Sequence, residues 1–171
     1  MPTFNMPVRG SSLATAVISL AFASISIAAQ PPNPKDLTQG HWELSTEKSH
    51  FCTPAPRKSV RDIIDAGYGL IAAHATGVGA DGKPIDFRYV WRYDGKMYPA
   101  NIDKPANEAI RWTLVNPHRV EFNHVTQADQ ITQKLVRTVS EDGQTMTQTT
   151  EFVGGKGGKA NCVDTQVFIR K

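Results

Sequence analysis

The chain is poor in the residues that announce chemistry. It holds two cysteines, Cys52 and Cys162, so a multi-cysteine metal cluster or a dense disulfide scaffold is excluded. Its five histidines, at 41, 50, 74, 118 and 124, fall into no His-Glu-x-x-His pair. His118 and His124 are six apart across an expected strand, about 20 Å by strand rise, too far to share one metal. No Gly-x-Ser-x-Gly elbow is present. Gly77-Val78-Gly79 and Gly154-Gly155-Lys156-Gly157-Gly158 lack the strand–loop–helix setting of a phosphate loop. Neither a metal nor a cofactor is therefore expected. Lysines and arginines form no run, and the net charge is only +3, which argues against a nucleic-acid surface.

Long apolar runs are equally scarce, with one exception at the N-terminus. Arg9 is the only charge in the first 30 residues. From Leu13 to Ala29 the chain is apolar or small, and Ser26, Ala28 and Ala29 precede Gln30. A basic start, an apolar stretch and small residues at a cut point form the pattern of a secretory signal, expected over residues 1–29. Thr15, Ser19, Ser24 and Ser26 make this stretch short and polar for a retained membrane anchor. No stable membrane span is expected after cleavage, and the mature protein should work in the periplasm or be secreted. Loss of Arg9 alone lowers the net charge by one, from +3 to +2. In an oxidising compartment Cys52 and Cys162 are expected to form a disulfide.

What remains, about 140 residues, suits one domain. Pro31, Pro32 and Pro34 mark residues 30–39 as an extended linker, leaving 40–171 as the folded unit. Turn signals then recur: Asp81-Gly82, Asp94-Gly95, Asn116-Pro117, Gln127-Ala128-Asp129, Asp142-Gly143 and the glycine-rich 154–158. Between them apolar residues alternate with polar ones. The clearest case is Ile85, Phe87, Tyr89, Trp91 and Tyr93 on one face, with Asp86, Arg88, Val90 and Arg92 on the other. Strands are expected over 41–48, 58–65, 69–79, 85–94, 96–100, 109–116, 119–127, 131–140, 144–153 and 162–170. Ser59 could instead cap a short helix within 58–74. Thr145–Thr150, rich in threonine, reads as an exposed strand.

The fold class is thus all-β, an antiparallel up-and-down meander. Sequential strands leave two open edges unless the sheet closes. Cys52 follows the first strand and Cys162 begins the last, so a bridge between them would staple the seam of a closed barrel. A two-sheet sandwich with Trp42 in its core would also allow it.

Gly40-His41-Trp42, at the start of the first strand, is similar to the Gly-x-Trp motif of lipocalins and related calycin barrels. The run Trp42-Glu43-Leu44 to Lys48-Ser49-His50-Phe51, with its later Asp-Gly turns, also resembles small secreted bacterial proteins. The resemblance implies a barrel of 8–10 strands. It also implies barrel closure at Gly40, Trp42 and Arg170, with Arg170 laid over the Trp42 ring. The family's Thr-Asp-Tyr turn has only a loose echo in Tyr93-Asp94-Gly95.

Such a barrel can hold one small ligand inside. The expected lining is Phe87, Tyr89, Trp91, Tyr93, Trp112 and Phe122, with Arg137 to orient an anion; each could equally be plain core. The leading expectation is a carrier for a small, mostly apolar or aromatic molecule. An enzyme on the same barrel would draw proton-transfer groups from His74, His124, Tyr89 and Tyr93. His74 is expected on a strand face with Leu70, Ala72 and Val78. A filled envelope module without a cavity is the third reading.

Overall fold

A computed structural model describes residues 35–103, 108–126, 130–153 and 162–171. The expected signal, the start of the linker, the turn at 127–129 and the glycine-rich 154–158 lie outside the described residues. Ten strands follow in chain order: β1 (Gly40–His50), β2 (Lys58–Asp65), β3 (Ile71–Val78), β4 (Pro84–Trp91), β5 (Met97–Pro99), β6 (Glu108–Asn116), β7 (Arg119–Thr126), β8 (Ile131–Val139), β9 (Thr145–Phe152) and β10 (Val163–Arg170). They form one antiparallel sheet in the order β4-β3-β2-β1-β10-β9-β8-β7-β6-β5. Each strand pairs with its sequence neighbour, except that β4 and β5 are not laddered. The first and last strands meet instead, β1 on β10. No helix is present among the described residues, so the helical alternative at 58–74 gives way to β2 and β3.

Turn chemistry explains the hairpins. Gly82, Gly95 and Gly143 have φ of 82°, 71° and 71°, where a side chain is strained. The aspartate before each glycine accepts from the next backbone amide, Lys83, Lys96 and Gln144 in turn, at 3.1, 3.1 and 3.0 Å. The same local trick serves Asn116, whose Oδ1 accepts from the His118 amide at 2.9 Å.

Closure joins Trp42 to Arg170 and Leu44 to Phe168 across the β1–β10 ladder. The register then slips between Ser45 and His50. Ser49 fills the gap: its hydroxyl donates to the Ser45 carbonyl at 2.6 Å and accepts from the Val167 amide at 2.9 Å. The bridge between Cys52 and Cys162, with Cα atoms 6.0 Å apart, staples the same seam. On the far side the barrel is nearly closed. The Ile102 amide donates to the Arg88 carbonyl at 2.9 Å, and Arg88 lies 3.6 Å from Asp103.

One end is plugged by residues expected to be linker. Asp36 and Thr38 are buried, and the Leu37 amide donates to the Pro117 carbonyl at 2.9 Å. Thr38 accepts from Trp42 Nε1 through its carbonyl at 2.7 Å. The folded unit therefore begins before residue 40: 36–39 turn across the barrel end because Trp42 and Arg170 supply donors for their carbonyls. Above this plug lies the core: Trp42, Ile63, Ile71, Trp91, Ile110, Val120, Met146 and Phe168, all essentially inaccessible.

Candidate functional site

Above the core the interior opens into a cavity of about 600 Å³. Its two walls differ in character. Phe87 and Tyr89 on β4, Ile110 and Trp112 on β6, Phe122 on β7 and Leu135 on β8 make an apolar, largely aromatic side. Arg61 on β2, Arg137 on β8, Gln148 and Thr150 on β9 and Gln166 on β10 make a hydrogen-bonding and cationic side. Asn101, Thr53, Asp164, Glu108, His124 and Gln133 also line it.

The aromatic side rests on a stack. The Trp91 and Trp112 rings lie 4.1 Å apart at 14°, and Trp112 and Phe122 lie 4.0 Å apart at 18°. Arg137 covers the end of the stack, 4.7 Å from the Phe122 centroid and 5.3 Å from that of Trp112. Arg61 sits 4.5 Å from the Phe168 ring. Both guanidinium groups donate to one atom, Gln148 Oε1, at 2.5 Å from Arg61 and 2.8 Å from Arg137. Burial, reinforced by the Arg61 charge, pulls Arg137 down to about 9, and burial lowers Arg61 as well. Both remain cations at neutral pH.

Beside Thr53, Asp164 holds the chain after β1. It accepts from the Cys52 and Thr53 amides at 2.8 and 3.1 Å and from the Thr53 hydroxyl. The carboxylate and the two sulfurs cluster closely, but the bridge already takes the sulfurs.

Phe87, Tyr89, Trp112, Phe122 and Arg137 thus share the cavity, as does His124. Other expected site residues lie elsewhere. Trp91 is fully buried beneath Trp112 and belongs to the core. Tyr93 is drawn to the plugged end, where its hydroxyl donates to Asp36; burial and that carboxylate raise it well above the usual phenol range. His74 stands on the outer surface, bonded to Asp86 at 2.8 Å, because Ile71 and Ala75 take the inward positions of β3. The candidate apolar face of Leu70, Ala72 and Val78 is the outward one. His124 Nδ1 lies 3.8 Å from Glu108, beyond hydrogen-bond reach. At the plugged end Arg170 stacks 4.2 Å from the Trp42 ring, and Gly40 packs against that guanidinium with φ of 141°.

Sequence reasoning missed Arg61, Gln148, Thr150 and Gln166. The signal was present as period two: Ser59, Arg61 and Ile63 share one face, as do Met146, Gln148 and Thr150. On β10 the face that carries Asp164, Gln166 and Phe168 turns inward: Asp164 and Phe168 are buried, Gln166 lines the cavity and Val163 is exposed.

No protein-family model matches the chain, and no curated protein matches it by sequence. Solved structures do match by shape. A point mutant of the fluorescent protein UnaG superposes with a TM-score of 0.57 at 12% identity, covering 79% of this chain and 96% of UnaG. As-p18, an extracellular fatty acid binding protein, gives 0.56 at 8% identity, covering 81% and 99%. The fold is an antiparallel β-barrel of the shape that these two proteins share. At such low identity the likeness speaks of fold alone.

Proposed function

We propose that the protein is an exported carrier that holds a small, mostly apolar or aromatic molecule bearing an acid group inside its barrel. One observation carries this reading: a cavity of about 600 Å³ in which an aromatic wall faces the buried Arg137 and the half-buried Arg61. That volume lies in the range of small-molecule sites, and such sites combine apolar walls with a few fixed polar groups. A filled envelope module would leave no such space. The aromatic side takes the ligand's body, and Arg137 orients its acid. The extracellular binding of fatty acid named for As-p18 agrees with the reading. Export is supported by the N-terminal signal pattern and by the Cys52–Cys162 bridge, which an oxidising compartment preserves.

Native mass spectrometry of the protein purified from its own host's extracytoplasmic fraction tests this directly. We expect an added mass of a small organic acid that is lost on denaturation. Protein recovered only in the cytoplasm would overturn export. Ligand-free protein that also fails to bind any aryl or alkyl acid in titration would overturn the carrier reading.

A further inference from the structure

Two positive charges meet inside this barrel without a salt bridge to either among the described residues; the Asp36 carboxylate attracts Arg137 only at longer range, and Glu108 and Asp164 line the same cavity without contacting the pair. Arg61 comes from β2 and Arg137 from β8, and both reach the same oxygen of Gln148. Arg61 also donates to Gln166 Oε1 at 3.2 Å. The remaining neighbours are faces of Phe168, Phe122 and Trp112. All of these are neutral. The buried carboxylates are engaged elsewhere: Asp36 with Thr38 and Tyr93, and Asp164 with Cys52 and Thr53. Arg61 Nε and Arg137 Nη1 are buried and carry no hydrogen bond.

Enclosing a charge is costly unless it is paired, and two like charges on one neutral amide oxygen compound the cost. Gln148 can satisfy a hydrogen-bond valence but cannot cancel charge. A single carboxylate would neutralise one guanidinium and leave the other. Arginine forks match planar and tetrahedral oxyanions with two parallel bonds each. An anion placed between the two forks would take over the acceptor role of Gln148 Oε1. The Gln148 amide could then turn and donate to it.

We propose that the ligand's head group is a dianion, a phosphate monoester or two adjacent carboxylates, clamped between Arg61 and Arg137. Its aromatic body lies against Phe87 and Tyr89. This rests on the interior-binding reading and narrows it: the fit is to a compact aryl dianion, with a long neutral chain excluded by the polar side formed by Gln148, Gln166 and Thr150.

The test is calorimetric titration of the mature protein at pH 8 with four probes sharing one ring system: 1-naphthol, 1-naphthoate, 1-naphthyl phosphate and naphthalene-1,8-dicarboxylate. At least one dianion should bind about tenfold or more tighter than naphthoate, and the tighter of the two identifies the phosphate or dicarboxylate source. Arg61→Gln should bring the dianions down to the naphthoate level while leaving naphthol unchanged. Its melting temperature without ligand should match or exceed the wild type, because a like-charge contact is removed. Equal binding of naphthoate and both dianions by the wild type overturns the dianion assignment and leaves interior binding standing. Loss of naphthol binding together with dianion binding in Arg61→Gln also overturns it. Failure of all four probes to bind the wild type removes the interior reading itself. The wild-type comparison decides the matter even if the variant does not fold.

Discussion

Arg170 lies flat over the indole of Trp42, 4.2 Å from the ring, and the two are direct partners across the strand pair that closes the barrel. The guanidinium does more than stack. Its Nη1, Nη2 and Nε donate to the carbonyls of Gln39, Leu37 and Gly143 at 2.8, 2.8 and 2.6 Å. One side chain thus ties the N-terminal plug, the first strand and the β8–β9 turn together.

Arg170→Ala should therefore cost about 2–4 kcal/mol, from one lost cation–π contact and three carbonyls left without their charged donor. Arg170→Lys should recover little, since an ammonium cannot reproduce the flat fork. Denaturant unfolding curves measure both. Gly40→Ala should behave similarly, because a methyl there would lie 2.2 Å from Arg170 Nη1 and the backbone φ of 141° disfavours a side chain. A cost under about 0.5 kcal/mol for Arg170→Ala, the scale of an ordinary surface substitution, would mean that the plug is held by other contacts.

The Cys52–Cys162 bridge spans 110 residues and pins the seam where the β1–β10 register slips. Constraining so long a loop in the unfolded chain is worth on the order of 4–5 kcal/mol in the chain-entropy account. Cys52→Ser/Cys162→Ser, or wild-type protein kept with a thiol reductant, should melt well below the oxidised protein. Calorimetry with and without reductant checks this. Equal melting temperatures would show that the seam is held by its ladder and by Asp164 alone.

The sequence made the barrel legible because its evidence was local. The Asp-Gly pairs supply the turns, period two supplies the strands, and Gly40-His41-Trp42 with Arg170 marks the closing seam. The polar half of the cavity stayed hidden for a physical reason. On β4, β6 and β7 the apolar face is the inner face, so the usual rule works. On β9 and β10 the barrel turns Gln148, Thr150, Asp164 and Gln166 inward. A strand that lines a polar cavity looks, by sequence, like one facing water. Which face is inside depends on register with strands far away in the chain: Arg61 meets Gln148 across 87 positions. His74 was misplaced for the same reason, since the small Ala73 and Ala75 point inward and the histidine outward.

At the plugged end, Tyr93 donates its hydroxyl to the buried Asp36, which also accepts from the Thr38 hydroxyl at 2.7 Å. Tyr93→Phe should cost about 1–3 kcal/mol, because it leaves a buried carboxylate short of a donor. The pH dependence follows from the raised phenol. The unfolded tyrosine loses its proton near its ordinary value of 10.0, whereas the folded one keeps it beyond that. Above that pH the unfolded state binds fewer protons than the native state, so stability falls as pH rises. Below it the contribution is fully present. Urea midpoints from about pH 9 to about pH 11, a window that brackets the ordinary tyrosine value, should thus drop more steeply for the wild type than for Tyr93→Phe. Parallel slopes would show that Tyr93 ionises as freely when folded as when unfolded.

The three tryptophans offer an internal test of where a ligand sits. All are buried, so the free protein should emit at short wavelength. Trp42 is at the plugged end with its Nε1 on the Thr38 carbonyl, and Trp91 lies behind Trp112. Of the three, Trp112 is the one that lines the cavity, beneath Arg137. A small aryl acid that does not absorb in the tryptophan band should therefore change the emission through Trp112. Trp112→Phe should abolish that response while keeping a measurable affinity by calorimetry, since a ring still stacks on Phe122. Trp42→Phe should leave the response intact. If Trp42→Phe removes the signal and Trp112→Phe does not, the ligand lies at the plugged end, and the cavity between the aromatic wall and the two arginines is not its site.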